Sequence, residues 1–493
     1  MYLSATFLPF ALLSSGLLAS CSCSNLEDYI TKQSPISEDG VLRNTGARAG
    51  ALPGVVAVAT PVDGVPELAY TWIRDSAMVY NMWINRLTWG DTSLRPDVDD
   101  AVLALTETQT VRSPSGDVDT GGLAEPRFHL DLSPDLGVFS RPENDGPALR
   151  SIVLIKYANW LLENDNGTWV ADELWPTIDL DLRWISQHWT NQSFELWETL
   201  YTQSFWTAAV QHRALISGRA LGRKIKRQFD EKKYAEEANK LLKYMQSFWD
   251  DKQGFMWGSK GPGRNGIDSA AHLLSIFNYD QEAGCDVNTF QPCSDRALSS
   301  LKVTFDRFKE LYPIAKDIPK GKPGPAGMYY EDPLGGGQPW FFSIFGAAEQ
   351  LYDSLWTWQK LGYLRITHVS LPFFKTFSSR ATVGKHRSTS HIYRTLTDAI
   401  RAYADEYVLL CAKYTPEGGA LPEGFDKVTG QPYGAFGLSW SYAASLTAFD
   451  ARMGKTPVSW GAVGKKIGIP EDVYDAPEAQ FPVLSDDLFE SLT

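Results

Sequence analysis

Glu198 stands in the stretch Asn191–Arg213, NQSFELWETLYTQSFWTAAVQHR, directly after Trp197. A carboxyl beside a bulky apolar ring loses hydration. Its pKa rises, which suits a general acid. Indole rings also offer sugars an apolar face and a polar edge. A second group lies in YTWIRDS (70–76), where Arg74 and Asp75 follow Tyr70 and Trp72. There the Asp can accept from sugar hydroxyls and the Arg can donate to them. Taken singly, each has a plainer reading. Glu198 would be a surface residue near a helix start, with Trp197 in the core. Asp75 and Ser76 would cap a helix, with a salt bridge from Arg74. The rest of the chain decides between these readings.

The elements that must position these groups are helical. After the Asp75–Ser76 cap, Val79, Met82, Trp83 and Leu87 fall on one face. Pro147 marks a helix start, where its missing N–H costs nothing. Leu149, Ile152, Val153, Tyr157, Trp160 and Leu161 follow on one face, and Trp175-Pro176 opens another helix. Ala208, Ala209, Ala214 and Gly218 permit close packing in the helix after Glu198. Helical spacing continues through 234–249, 298–308, 344–358 with Gly362 as a stop, 391–413 and 441–452. Alternating β-branched runs are almost absent, although GVVAVA (54–59) is compatible with a brief strand or a buried extended segment. The pattern predicts an all-α chain of roughly a dozen helices. Past about residue 453 helical periodicity fades, and 453–493 reads as a tail packing on the helices.

The 493 residues carry a net charge of -13 and no long basic run, which argues against nucleic acid and anionic membranes as partners. A neutral substrate fits this charge. Aromatic residues reach 13%, 17 of them Trp, more than a core alone calls for. The apolar segment 7–19 is too short to span a bilayer. With small residues after it, it reads as a secretion signal over residues 1–20. No Lys or Arg precedes it, so a buried N-terminal helix is the other reading. Cys21 and Cys23 lie near the cleavage point. Cys285 and Cys293 bracket CDVNTFQPC, and in a secreted chain they are expected to form a disulfide. Cys411 reads as a buried free thiol. Asn166 and Asn191 stand in glycosylation sequons. No His or Cys spacing suggests a zinc site, and no metal or organic cofactor is implied.

Several separated blocks give the chain a resemblance. YTWIRDSA (70–77), RPENDGPALR (141–150), LWPTIDLDL (174–182), NQSFELWE (191–198), FWTAAVQHRAL (205–215), GQPWFFSIFGAAEQLYDSL (337–355), LPEGFDK (421–427) and LSWSYAASLTA (438–448) stand in sequence. In these blocks, their order and their spacing the chain resembles the fungal glucoamylases, the family 15 glycoside hydrolases. The resemblance implies an (α/α)6 barrel over 25–452, with loops at one end forming a pocket for the non-reducing end of a glucan. It implies an inverting, exo-acting hydrolase that releases β-D-glucose. Glu198 matches the general acid and Glu423 the general base. Inverting chemistry needs those carboxyls roughly 6.5–9.5 Å apart. Arg74 and Asp75 match residues that hold the outermost glucose, and Leu196 and Trp197 match further sugar contacts. Tyr70 precedes Trp72, which with Trp340 and Trp440 matches aromatic walls. Asp332 matches an acid near the second sugar. The 285–293 disulfide and the Asn191 glycan also sit where the family has them.

The departures cluster around the pocket. The family's second Glu, directly after the acid, is Thr199 here, and an Arg near Asp332 is Met328. Other family residues are replaced by Leu68, Phe139, Gly424 and Leu334. Lost hydrogen bonds involving a charged group are each worth roughly 1.5–3 kcal/mol, so the substrate is expected to differ. Met328, Leu334 and Leu68 are expected to make the cleft more apolar, and Gly424 and Leu68 to loosen the setting of the base. The retained Glu198 and Glu423 favour an active enzyme with changed linkage or aglycone preference, α-1,6 included. A non-catalytic carbohydrate-binding relic and a transglucosylase are the alternatives. No linker to a starch-binding module is seen, and the protein is expected to act as a secreted monomer on oligosaccharides or glucosides.

Overall fold

The computed structural model describes residues 26–60, 69–164, 167–332 and 337–462. The signal segment, Cys21, Cys23, Leu68, Asn166, Leu334 and the tail beyond 462 lie outside the described residues.

Helices dominate, and those of the double ring alternate between two layers. The outer layer holds α1 (Leu26–Arg43), α3 (Arg95–Thr108), α5 (Trp175–His188), α7 (Glu231–Gln246), α9 (Asp295–Leu311) and α11 (His391–Tyr414). The inner layer holds α2 (Ile73–Thr88), α4 (Gly146–Asn164), α6 (Phe205–Lys224), α8 (Ala270–Phe277), α10 (Phe341–Leu361) and α12 (Ser439–Arg452). Each inner helix packs on the next, α2 on α4, α4 on α6, and so on to α12, which packs back on α2. This closure is the (α/α)6 barrel.

The sequence explains the layering. Inner helices have apolar residues all round: in α4 both sides are buried, from Leu149 and Ile152 to Val153, Leu154 and Ile155. Outer helices carry one apolar stripe. In α7 it is Tyr234, Ala238, Leu241 and Met245, opposite an exposed charged face. Glycine brings the layers together. A Cβ at Gly218 of α6 would lie 2.3 Å from Leu182 of α5. Ser204, Asp230, Ser294 and Ser390 cap α6, α7, α9 and α11 by accepting from backbone N–H groups. Gly362 ends α10 in the left-handed conformation.

One expectation needs correction. Helix α2 begins at Ile73 with Trp72 at its N-cap, so Asp75 and Ser76 lie inside the first turn and do not cap it. Of the two readings of 54–59 the buried segment holds: it makes isolated bridges, Val56 to Thr45 and Ala59 to Leu438, and forms no strand. Cys285 and Cys293 are disulfide-bonded, and Cys411 is a buried free thiol. Among the described residues no helix is long and apolar enough to cross a membrane. Residues 453–462 leave α12 and lie on the barrel, with Trp460 Nε1 donating to the Asn278 carbonyl at 3.0 Å.

Candidate active site

All six inner helices begin at the same end of the barrel. Their N-termini carry or adjoin Arg74 and Asp75 (α2), Asp145 (α4), Trp206 (α6), Asp268 (α8), Trp340 (α10) and Trp440 (α12). The positive ends of the helix dipoles therefore face one region, where carboxylates are stabilised.

Glu198 sits at the tip of a hairpin. Ser193–Phe194 pairs with Tyr201–Thr202, and Glu195 organises the turn between them. Its carboxylate accepts from the N–H groups of Trp197 (2.6 Å), Thr199 (3.1 Å) and Leu200 (3.1 Å), and from the Thr199 hydroxyl (2.9 Å). The turn puts Glu198 at a φ of 62°, unusual for a residue with a side chain. Such a conformation persists where its surroundings fix it. Ser140 Oγ donates to the Glu198 carbonyl at 2.7 Å.

Arg74 Nη2 donates to Glu198 at 2.8 Å, while its Nη1 donates to Glu143 (2.6 Å) and Asp145 (3.0 Å). One buried cation thus spans three carboxyls, and Asp145 also accepts from Trp206 Nε1. Burial raises the Glu198 carboxyl to about 7; Arg74 pulls it down and Asp75 pushes it up. Asp75 itself is raised to about 6, chiefly by burial.

Glu423 precedes a two-stranded ribbon in which Gly424–Phe425 pairs with Pro432–Tyr433. Its N–H donates to the Ala435 carbonyl, and its carbonyl accepts from Phe341 N–H at the head of α10. Burial raises its carboxyl to about 7, and the Asp75 charge pushes the same way. Both glutamates therefore feel Asp75. Gly434, at a φ of 76°, lies so close that a Cβ there would come within 2.0 Å of Glu423 Oε2. Gly424 is held firmly: it bridges Trp340, and a Cβ on it would lie 2.0 Å from the Pro339 carbonyl.

The aromatic residues gather as a wall. Trp440 stacks on Phe342 with ring centres 4.3 Å apart, Trp197 stacks on the same Phe342 at 6.2 Å, and Trp340 meets its edge at 5.1 Å. Trp197 Nε1 donates to Asp268 at 2.8 Å. Opposite, Tyr70 meets Trp72, and Trp72 meets Phe139. Leu196, Trp197, Trp440 and Asp332 are buried, whereas Tyr70, Trp72 and Trp340 are half-buried. The Met328 side chain is buried, and its carbonyl accepts from Ser269 N–H. Asn191 is exposed at the foot of the Glu198 hairpin. Among the described residues no cluster of His, Cys, Asp or Glu is arranged to hold a metal.

Two residues were not foreseen. Arg127 lies over the rings of Phe139 (3.7 Å), Tyr70 (4.4 Å) and Trp72 (5.2 Å), anchored to Asp135 at 2.8 Å, and its charge lowers the Glu198 pKa. Its signal is only visible once Trp72 is paired across the ribbon with Arg127. Arg264 reaches in from a glycine-rich loop and donates to Thr199 Oγ1 at 2.6 Å and Glu195 at 3.3 Å.

A closed double ring with carboxyls and aromatic walls at one end defines the class, a helical-barrel glycoside hydrolase. The chain belongs to the glycosyl hydrolases family 15, whose model matches residues 35–450. Glucoamylase-1 of Schizophyllum commune is 42% identical over 93% of this chain and 80% of that protein. The glucoamylase of Neurospora crassa is 39% identical over 89% of this chain and 70% of its own length. The solved family 15 glucoamylase from Hypocrea jecorina superposes with a TM-score of 0.86 at 38% identity, over 88% of this chain and 74% of that one. The protein is thus a glycoside hydrolase of glucoamylase type.

Proposed function

We propose that this enzyme removes glucose, as the β anomer, from non-reducing ends of α-glucosides by single-step inversion. Glu198 is the acid that protonates the departing oxygen. Glu423 is the base that takes a proton from the attacking water. The observation that carries this reading is the pair of carboxyls, both raised to about 7 and both sensing the charge of Asp75. A group held there donates and accepts protons readily near neutral pH.

Arg74 and Asp75 form the floor that holds the terminal glucose. Arg74 spends three of its donors on Glu143, Asp145 and Glu198, which leaves two for sugar hydroxyls. Trp72, Trp340 and Trp440 wall the pocket, with Tyr70 behind Trp72. Leu196 and Trp197 contact the sugar beside the acid, and Asp332 lies toward the second unit. The leaving group differs from an ordinary α-1,4-linked glucose, because Thr199 and Met328 replace a Glu and an Arg. The enzyme is secreted and bears a glycan at Asn191.

A panel of α-glucosides of different linkage tests this. Glucose release from at least one, abolished by Glu198→Gln, is the expected result. No release from any of them refutes it.

A further inference from the structure

Granting that glucose is cut off at the floor of this pocket, we infer that Arg264 binds the leaving-group sugar at the pocket mouth and sets which linkages are accepted. Arg264 lies in the loop GPGRNG (261–266), where Gly263 and Gly266 adopt φ of 76° and 89°. The loop runs along the surface, yet the Arg264 side chain turns inward and is only 7% exposed. Its guanidinium lies 3.2 Å from the centre of the Tyr329 ring. Nη2 alone serves Thr199 and Glu195. Among the described residues nothing accepts from Nε or Nη1, and neither atom is sealed from solvent.

A purely structural role accounts poorly for this placement. Glu195 already accepts four hydrogen bonds from Trp197, Thr199 and Leu200. The contact of Arg264 with it uses Nη2 alone, and Nε and Nη1, which reach solvent, are left to donate to a ligand. The fixed fork of a guanidinium matches two neighbouring oxygens, and adjacent hydroxyls of a neutral sugar supply these.

Location assigns the side. Arg74, on the floor, holds the carboxyl of Glu198. Thr199, the next residue, is tied instead to Arg264 and so to the outer loops. These loops are joined by Asn265 N–H donating to Glu331 and Tyr330 N–H donating to the Ile267 carbonyl, both at 3.0 Å. Glu198 delivers its proton to the oxygen of the departing group, so a donor set beyond Thr199 faces that group.

The test compares the parent with Arg264→Ala and Arg264→Lys on maltose, isomaltose and α-glucosyl fluoride. Fluoride departs without a sugar in the mouth. Arg264→Ala is expected to lose about 10–100-fold in kcat/KM on the better disaccharide. It should change the maltose-to-isomaltose ratio and stay within about threefold of the parent on the fluoride. Arg264→Lys keeps the charge without the fork and should fall between. Equal losses on disaccharide and fluoride would show that Arg264 only supports the acid's turn, and no loss would remove it from the site; either overturns the inference. If the alanine variant does not fold, Arg264→Met keeps the stem against Tyr329 and is read the same way. A parent inactive on every substrate would overturn the functional reading beneath, and this inference with it. An active parent with an unselective variant would overturn this inference alone.

Discussion

Arg74 donates from Nη2 to the carboxyl of Glu198 at 2.8 Å, so the floor of the pocket and the proposed acid are one hydrogen-bonded unit. The cation opposes the burial that raises Glu198, and Asp75, beside it on α2, works the other way. Burial thus raises the proton affinity of Glu198, and the first turn of α2 tunes it in both directions.

Glu198→Gln removes the proton donor and keeps the shape. Hydrolysis of disaccharides should fall by about 10²–10⁴-fold, while α-glucosyl fluoride, which needs no acid, is cut nearly as before. Glu423→Gln should reduce both, because water activation serves every substrate. Steady-state kinetics on the two substrate types distinguishes the roles.

The working enzyme needs Glu198 protonated and Glu423 ionised. Both are raised to about 7, so kcat/KM should be bell-shaped and centred close to neutrality. Activity falls on the acid side as Glu423 takes up a proton and on the alkaline side as Glu198 loses one. Asp75→Asn removes a charge that raises both groups, and both limbs should move to lower pH by about half a unit. A pH profile of the two proteins measures this.

Gly434→Ala places a methyl where Glu423 Oε2 now lies and imposes a side chain on a φ of 76°. The base must move. The expected result is a fall in kcat of about 10–100-fold with KM little changed, since a displacement of about 1 Å costs that much.

A separate polar cluster at the far end of the inner helices bears on stability. Lys156, Arg213, Glu349, Asp353 and Asp450 line a cavity of about 30 Å³ there. Burial raises Glu349 to about 7 and pushes Asp353 up as well, with Glu349 adding to the latter. A carboxyl raised above its unfolded value near 4.5 contributes stability below that pH and loses it as pH rises through 7. Glu349→Gln should therefore gain about 1–2 kcal/mol over the parent on going from pH 5 to pH 8. Denaturant melts at the two pH values check it.

Much of this architecture was legible in the sequence because a helix buried on one or both sides leaves a period in its apolar residues. The starts of α4 and α5 announced themselves by Pro147 and Pro176, and the stop of α10 by Gly362. The start of α2 did not, because its cap is Trp72 and not a polar residue. Glu198 was conspicuous beside Trp197, but its conformation depends on Glu195 gathering three backbone N–H groups, which no local pattern announces. Arg127 and Arg264 were invisible because Arg127 arrives on a strand paired with Tyr70–Trp72 and Arg264 on a loop, each distant in sequence from its partners.

The most direct test follows the anomer by proton NMR while the enzyme acts on maltose, isomaltose and other α-glucosides. The account predicts that β-glucose appears first, before mutarotation supplies the α anomer, and that Glu198→Gln shows neither from the same substrate. Early α-glucose, or no glucose from any substrate, would contradict it.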